Sequence, residues 1–289
     1  MAIIIFAIDD VDSRAPSKYT DWFGRHKFFP MGYLANGGSY MMEMFDKCFD
    51  KADFIKHVTA VVDLKNKDKN VTASCTVVIS HTDESILLAF RPTYGVDEQN
   101  EEILTVAETT SFPGGGIVNK FYYNALMILW NGGIKDAFLT SKNKYSNYEI
   151  WITGHSMGGA LSSLMAGYLV QMGYASSSAV KLMTFGEPRN GHKDFANRFP
   201  TLVPWAYRVV HHNDYVPHSI PQELGYQHHR NEIWYNNTMA NGDPYIECDE
   251  PESLKCSNSV APDKWSILDH GGYFDKKASC LKTASPMLF

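Results

Sequence analysis

Apolar positions follow two different periods along the chain. Segments 119–131 and 161–172 carry apolar side chains every three or four residues, which predicts helices, and Gly173 stands where a glycine cap would end the second one. Residues 28–55 mix aromatic, Met and Ala residues with similar helical spacing. Six short apolar or β-branched runs predict buried strands, at 71–80, 86–90, 148–153, 179–185, 205–211 and 231–236.

The order of these elements predicts the fold class. Strands alternate with helices, as in a sheet that is covered by helices on both faces. We therefore predict an α/β protein with a central, mostly parallel sheet. No internal repeat or low-complexity run divides the chain, so residues 21–289 are expected to form a single domain. Residues 1–20 are interpreted as a separate N-terminal segment, either an artefact of the assigned start or a processed piece.

Composition excludes several classes of protein. With 289 residues, 44% of them hydrophobic, the chain can bury a large core and lacks the composition of a disordered protein. The 32 acidic and 26 basic residues give a net charge of −6, which argues against nucleic acid as a partner. No run approaches the roughly 18 apolar residues that a membrane-spanning helix needs, so no transmembrane segment is predicted.

A candidate nucleophile stands where the 148–153 strand meets the next helix. Residues 154–160 spell GHSMGGA, which contains the pattern Gly-x-Ser-x-Gly around Ser156. By chance, this pattern would occur in about one protein in ten of this length. A buried strand that enters a helix through a glycine-lined turn makes the pattern specific, because it is the context of a nucleophile elbow. The alternative is a turn that binds an anion or has no chemical role.

A serine hydroxyl is a weak nucleophile, so it needs a base and a carboxylate that orients the base. In α/β-hydrolases the chain order is serine, acid, histidine. Asp214 directly follows the 205–211 strand and is the candidate acid. Three other aspartates follow no such strand and are expected to be surface charges: Asp194, Asp243 and Asp249.

Eleven histidines compete for the role of base. His270 is the candidate because it follows the last predicted strand and lies in a segment with two glycines and several aromatic residues. His155 is expected to point away from Ser156 along the turn, and we interpret it as structural, together with His211 and His212. Three further histidines stay open but leave little chain for another strand before the base: His218, His228 and His229.

Two backbone amides should stabilise the oxyanion of an acyl-transfer intermediate. One is expected from Met157, the residue after the nucleophile. The other is expected from Thr93, after the 86–90 strand, because Pro92 has no N–H to donate. The alternative for this second position is an ordinary turn at the end of a strand.

The chain resembles the class 3 lipases, the fungal lipase-like and feruloyl esterase-like α/β-hydrolases, over most of its length. The motifs that carry the resemblance are FRGT, GHSxGGA, TFGxPRxG, RVVxxxDxVP and a late His before Tyr-Phe, met at 90–93, 154–160, 184–191, 208–217 and 270–274. The resemblance implies an α/β-hydrolase fold, a triad of Ser156, Asp214 and His270, and no metal or organic cofactor. One departure is Pro92, which replaces the glycine of FRGT and could shift the turn that aims the Thr93 amide.

In the family, the segment after FRGT carries a short lid over the acyl site. Here it runs over residues 94–116, and Gly114–Gly116 is a candidate hinge. Four residues could form a small apolar face beside that hinge: Ile103, Leu104, Val106 and Phe112. A plain surface loop is the alternative.

The resemblance also implies that Cys48 pairs with Cys280 and Cys248 with Cys256, which leaves Cys75 unpaired. Two glycosylation sequons begin at Asn70 and Asn236. Because the family is commonly secreted, we expect an extracellular protein with disulfides and glycans, although the N-terminus lacks a convincing signal peptide.

These observations predict a serine carboxylic-ester hydrolase that forms an acyl-enzyme. By resemblance, the expected substrate is an acylglycerol, met at a lipid–water interface. The alternatives are an esterase on phospholipid, short-chain, feruloyl or acetyl esters, a non-catalytic lipid-binding or carbohydrate-binding relative, and a thioesterase or peptidase of the same architecture. The oligomeric state is left open.

Overall fold

The computed structural model describes residues 15, 17–62, 71–92 and 108–276. Its centre is an eight-stranded sheet of order β1-β2-β3-β6-β7-β8-β9-β10, beside a two-stranded hairpin of β4 and β5. The strands are β1 Ala52–Val61, β2 Thr72–Ser80, β3 Ser85–Phe90, β4 Thr109–Ser111, β5 Ile117–Asn119, β6 Glu149–His155, β7 Val180–Phe185, β8 Ala206–His211, β9 Glu232–Tyr235 and β10 Ile246–Cys248.

The middle of the sheet is parallel and the edges are antiparallel. Strands β3, β6, β7, β8 and β9 pair in parallel, whereas β1, β2 and β10 join the sheet antiparallel. This arrangement confirms the predicted class. The α-helices are α1 Asp21–Phe23, α2 Phe29–Tyr33, α3 Gly38–Cys48, α4 Lys120–Leu129, α5 Lys135–Lys144, α6 Met157–Gln171, α7 Lys193–Leu202 and α8 Ile267–His270.

Helices cover both faces of the sheet, as the buried strands require. Leu88 of β3 points to the face packed by α4 and α6, while its neighbours Leu87 and Ala89 point to the face packed by the N-terminal helices. This alternation is the period of two that a strand imposes on its side chains. Helix α6 ends close to the predicted position, and Gly173 follows with the positive φ of 73° that a glycine cap uses.

Strand β1 was not predicted, and the helical interpretation of 28–55 is wrong at its C-terminal end. The helices stop at Cys48, and β1 begins at Ala52. A register shift between Phe54 and Lys56 interrupts the alternation of side chains, so the period of two is broken in the sequence. The three-residue edge strand β10 was also missed, because so short a run has no readable period.

The structure corrects the description of the candidate lid where it can be compared. Phe112 is 3% exposed and packs on Phe195, with ring centroids 5.1 Å apart, so it belongs to the core and not to an apolar lid face. Gly114–Gly116 forms the turn between β4 and β5, and a side chain at Gly116 would overlap the backbone of Phe195. A packed hairpin turn is not a hinge. Residues 93–107, including Ile103, Leu104 and Val106, lie outside the described residues.

The described cysteines agree with the predicted disulfide pairing. Cys248 and Cys256 form a disulfide, with their Cα atoms 6.3 Å apart. Cys75 is a buried free thiol. Cys48 is disulfide-bonded, while Cys280, its expected partner, lies outside the described residues. Within the described part of the chain, no helix is long and apolar enough to cross a membrane.

Candidate active site

Ser156 stands at the sharp turn between β6 and α6. Its φ and ψ are 57° and −129°, a conformation that costs a non-glycine residue about 1–3 kcal/mol. The turn is held on both sides: the Ser156 amide donates to the carbonyl of Phe185 at 2.9 Å, and the Ser156 carbonyl accepts from the Gly159 amide at 2.8 Å. The surrounding sheet and helix therefore fix a strained serine at the carboxyl end of the sheet.

The two glycines of the motif are required by close backbone approach. A side chain at Gly154 would overlap the backbone of Gly158, and one at Gly158 would overlap the carbonyl of Phe90. Strand β6, helix α6 and the end of β3 therefore meet without side chains between them. This contact explains the Gly-x-Ser-x-Gly spacing and brings the end of β3 to the start of α6.

Asp214 and His270 form a buried hydrogen-bonded pair. Nδ1 of His270 lies 2.9 Å from Oδ2 and 3.0 Å from Oδ1 of Asp214, and the two residues are 4% and 0% exposed. Because the carboxylate can only accept, it selects the tautomer with the proton on Nδ1 and leaves Nε2 as an acceptor. This Nε2 is buried and has no hydrogen-bond partner among the described residues.

Two further donors hold the Asp214 carboxylate. The Tyr273 hydroxyl donates to Oδ2 at 2.7 Å, and the Val216 amide donates to Oδ1 at 2.9 Å. Burial raises the pKa of Asp214, but the charge of His270 and the hydrogen bonds from His270, Tyr273 and Val216 outweigh burial and hold the pKa below its ordinary value. Asp214 is therefore ionised at neutral pH.

The loop that carries His270 is attached to the end of β8. The Ser266 amide donates to the Asn213 carbonyl at 2.8 Å, which makes a parallel bridge between Ser266 and Asp214. The Asp269 carboxylate accepts from the Asn213 amide at 3.2 Å and lies 3.0 Å from Nδ1 of His212. The candidate acid and base, 56 residues apart in sequence, are therefore held together by backbone contacts as well as by their side chains.

The end of β7 contacts both Ser156 and this pair. The Ser156 amide is bonded to Phe185, and the next residue, Gly186, lies directly against Asp214 and His270. With a φ of 58° and no room for a side chain, Gly186 lets the turn pass under the two side chains. The three residues predicted for the triad are thus at the same edge of the sheet.

His155 does not point away from the site as expected. Its ring centroid lies 4.2 Å from that of His270, and its Nε2 donates to the His270 carbonyl at 2.9 Å. The only signal in the sequence was the motif that also contains Ser156. His211 also contacts α8, because its Nδ1 donates to the Asp269 carbonyl at 2.8 Å.

The other candidate histidines have partners elsewhere. His218 is stacked on Trp265, with centroids 5.0 Å apart, and burial, followed by the nearby His228, lowers its pKa to about 4. His228 lies 3.1 Å from Glu252, and His229 lies 3.4 Å from Glu187. None of the three shares a hydrogen bond with Asp214 within the described ranges.

The alternative aspartates also have local roles. Asp194 accepts from the Phe195 amide in the first turn of α7 at 2.9 Å, and Asp243 accepts from the Ala240 amide in a turn at 2.9 Å. Asp249 is exposed. In the part of the chain that the structure describes, none of them contacts His270.

A buried polar cluster around Glu187 was missed by the sequence analysis. Glu187 is 2% exposed and accepts from Ser163 at 2.7 Å, Thr184 at 2.6 Å and Asn190 at 3.1 Å. The cluster holds the segment that begins at Gly186 against α6. Glu187 lies within the TFGxPRxG motif at 184–191, but the motif alone does not show that this glutamate is buried and hydrogen-bonded.

Only half of the predicted oxyanion pair can be placed. Met157 begins α6 and is fully buried, and the first amides of a helix have no partner within the helix. Thr93 lies outside the described residues. Two residues earlier, the Arg91 guanidinium is anchored on β2, with its Nε 3.3 Å from Ser74 Oγ and one terminal nitrogen 2.6 Å from Thr72 Oγ1.

Comparison with known proteins shows similarity to one family of lipases. The family model described as lipase (class 3) matches residues 87–224. The chain is 33% identical over 231 residues to lipase ZK262.3 of Caenorhabditis elegans, which covers 68% of this chain and 64% of that protein. It is 39% identical over 140 residues to a lipase of Rhizopus oryzae, which covers 47% of this chain and 35% of that protein. Over these stretches the chain is similar to the class 3 lipases.

The solved structure of lipase II from Rhizopus niveus has the same fold. It superimposes with a TM-score of 0.74 over 89% of this chain and 96% of that one, at 24% identity. A triacylglycerol lipase whose catalytic centre is described as a serine protease triad superimposes with a TM-score of 0.64 over 80% of this chain and 84% of that one, at 26% identity. The family match includes Ser156 and Asp214 but ends before His270, so His270 is placed by its contact with Asp214.

Proposed function

We propose that this protein is a serine carboxylic-ester hydrolase with Ser156 as nucleophile, His270 as general base and Asp214 as the group that orients His270. The observation that carries the proposal is that one edge of the sheet holds both a strained, fixed serine and a histidine whose Nδ1 is bound to a buried carboxylate and whose Nε2 is left as an acceptor. A structural role for these residues would require neither the strain nor the acceptor.

In the proposed reaction, Ser156 Oγ attacks the ester carbonyl carbon while its proton passes to Nε2 of His270. The tetrahedral oxyanion is stabilised by the amide of Met157 and, we propose, that of Thr93. Collapse releases the alcohol, which takes the proton from His270. A water molecule then repeats the attack and frees the acid. This mechanism requires no metal or organic cofactor.

The substrate class is proposed from relatives whose names state one. The chain is 32% identical over 157 residues to secreted mono- and diacylglycerol lipase 1 of Fusarium solani, covering 53% of this chain and 45% of that protein. The chain spans 64%, 45% and 35% of the length of the lipases from Caenorhabditis elegans, Fusarium solani and Rhizopus oryzae. We propose that its substrate is also an acylglycerol, met at a lipid–water interface.

An extracellular location belongs to the same proposal. It is supported by the disulfide between Cys248 and Cys256, which a reducing cytosol would not maintain, and by the relative named as secreted. Asn236, the first residue of one sequon, is exposed directly after β9 and is therefore accessible to a glycan.

Hydrolysis of p-nitrophenyl esters and emulsified triacylglycerols of increasing chain length tests the proposal, with the wild type and Ser156→Ala measured in parallel. We expect the wild type to release fatty acid from emulsified acylglycerols and Ser156→Ala to be inactive. Activity on short soluble esters alone would indicate an esterase and reject the proposed substrate. Equal activity in both proteins, or none on any ester by a folded wild type, would reject the proposed function.

A further inference from the structure

The four-residue helix α8 ends at His270, and its last carbonyls receive hydrogen bonds from the ends of two strands, β6 and β8. The final carbonyls of any helix lack partners within the helix and need donors from outside. His211, the last residue of β8, donates to the carbonyl of Asp269 at 2.8 Å. His155, the last residue of β6, donates to the carbonyl of His270 at 2.9 Å. The strands that lead to Asp214 and Ser156 therefore each hold the end of α8 through an imidazole.

The two attachments differ in what they connect. Contacts from His211, His212 and Asn213 join α8 to the strand that carries the acid. The contact from His155 joins α8 to the strand that carries the nucleophile, one residue before Ser156. A base that is fixed only relative to its acid could still vary in distance from the serine. His155 is placed to remove that freedom.

The ring of His155 also packs against the site. It lies 4.2 Å from the His270 ring at an interplanar angle of 31°, and 5.3 Å from the Tyr273 ring at 73°. Tyr273 in turn donates to Asp214 at 2.7 Å. One side chain therefore contacts both the base and the tyrosine that holds the acid, and it is only 6% exposed.

We propose that His155 is a positioning residue, which sets the position of His270 relative to Ser156 through its hydrogen bond to the His270 carbonyl and its stacking on the His270 ring. This inference rests on the proposed function. His155 neither accepts the serine proton nor touches the substrate in this account. Its effect is expected in the rate of the chemical step and not in substrate binding, because a small misplacement of a reacting group can cost about 100-fold in rate.

The charge state of His155 is compatible with this role. The titratable groups that face it are His270, Asp214 and Tyr273. Burial first, and the neighbouring charge of His270 second, lower the pKa of His155 well below its ordinary value. The ring therefore stays neutral while His270 takes up the serine proton, so it does not repel the imidazolium that forms.

Three substitutions separate the two contacts. His155→Gln keeps an N–H donor near the position of Nε2 but removes the ring, His155→Phe keeps a stacking ring but removes the donor, and His155→Ala removes both. His57→Ala is the matched control. It also removes a hydrogen-bonded imidazole, since His57 contacts the hydroxyl groups of Thr76 and Thr59, but His57 lies in edge strand β1. Each variant is measured for kcat and KM on a soluble p-nitrophenyl ester across pH, for thermal stability, and for the rate of fluorophosphonate labelling.

We expect His155→Ala to lower kcat and the labelling rate by about 30- to 100-fold with KM within about twofold of the wild type. His155→Gln should recover most of the loss, His155→Phe less, and His57→Ala should match the wild type. The acid limb of the kcat/KM profile should stay at the same pH in the folded variants, since a neutral group has been replaced.

Three results would overturn the inference: unchanged kcat and labelling in folded His155→Ala, a loss expressed in KM, or a shifted acid limb, which would indicate an effect of charge. Failure of the proposed function is distinguishable from these results. If folded wild type is not labelled, or Ser156→Ala is labelled equally, the nucleophile assignment fails whatever the His155 variants do.

Discussion

The two halves of the candidate site are built in different ways. On the nucleophile side, residues 154–160 are consecutive, and their geometry follows from backbone contacts that leave no room for side chains at Gly154 and Gly158. On the acid–base side, Asp214 and His270 are 56 residues apart and are joined by polar contacts between loops. Close backbone packing shapes the serine turn, whereas hydrogen bonds between side chains and loops hold the two residues that we propose activate the serine.

This difference determines how each half should fail. A side chain added at Gly154 or Gly158, in the steric half of the site, should lower both the stability of the fold and the activity. Loss of one hydrogen bond in the polar half should weaken the site in small steps, because each residue has several partners.

Removal of the base or the charge of the acid should have the largest effect. His270→Ala should lower kcat by about 10⁴- to 10⁶-fold, because nothing else in the account takes the serine proton. Asp214→Asn should lower kcat by about 10⁴-fold, because an amide can donate to Nδ1 and select the wrong tautomer. Initial rates on a p-nitrophenyl ester measure both losses, and circular dichroism should show folded proteins. Activity within tenfold of wild type in either variant would remove that residue from the triad.

Gly158→Ala tests the steric half. The added methyl group would overlap the carbonyl of Phe90, so we expect the free energy of unfolding to fall by about 3 kcal/mol or more, with loss of activity. Gly32→Ala in α2 is the control, because no atom lies within 4 Å of the added methyl, and it should be neutral or stabilising by up to about 1 kcal/mol. Denaturant titration measures both, and equal stability of the two variants would contradict the steric account.

Acid should weaken the polar half through His218, which stacks on the residue before Ser266. Its pKa is lowered to about 4 in the folded protein, mainly by burial, against 6.5 for the ordinary value, so between these pH values the unfolded chain binds the extra proton. Stability from this group is therefore present above about pH 6.5 and is lost as the pH falls toward 4, by at most about 3 kcal/mol.

Denaturant titrations at pH 7 and pH 4.5 measure this loss. The difference in unfolding free energy between the two pH values should be smaller in His218→Gln than in the wild type. His81→Gln should behave as the wild type. The His81 side chain is 30% exposed, and it contacts Asp53 and Tyr148 instead of the residues around Asp214. The same pH difference in His218→Gln and wild type would contradict the assignment.

Tyr273→Phe should have the smallest effect. It removes the hydroxyl that donates to Asp214 at 2.7 Å but leaves His270 and the Val216 amide in place. We expect the unfolding free energy to fall by about 2 kcal/mol, as for a hydrogen bond to a charged group, and kcat to fall far less than in His270→Ala. Because this bond helps to lower the pKa of Asp214, its loss should raise that pKa. A kcat loss as large as that of His270→Ala would show that the tyrosine is not a secondary support.

The sequence predicts the steric half better than the polar half for a physical reason. The nucleophile turn depends on neighbours in the chain, so the glycines around Ser156 and the helical period after them were sufficient. Asp214 could be proposed as the acid because it closely follows a buried strand. The contacts of His155 and Tyr273 join residues that are more than 50 positions apart, and no local period records them.

The same reasoning applies to the fold. The parallel strands were predicted because burial on both faces makes them continuously apolar. Strand β1 was missed because an edge position and a bulge remove the alternation by which a strand is recognised. Phe112 was assigned to a surface face because its burial depends on Phe195, 83 residues later in the chain, which the sequence does not place beside it.

Covalent labelling distinguishes a Ser156 nucleophile activated by the His270–Asp214 pair from a serine without a catalytic role. Wild type, Ser156→Ala and His270→Ala are treated with a fluorophosphonate, and the adducts are counted by intact mass and located by peptide mass spectrometry. The account predicts one adduct per chain on Ser156 in the wild type, none in Ser156→Ala and a much slower reaction in His270→Ala. An adduct on another residue, or no adduct on the folded wild type, would contradict it.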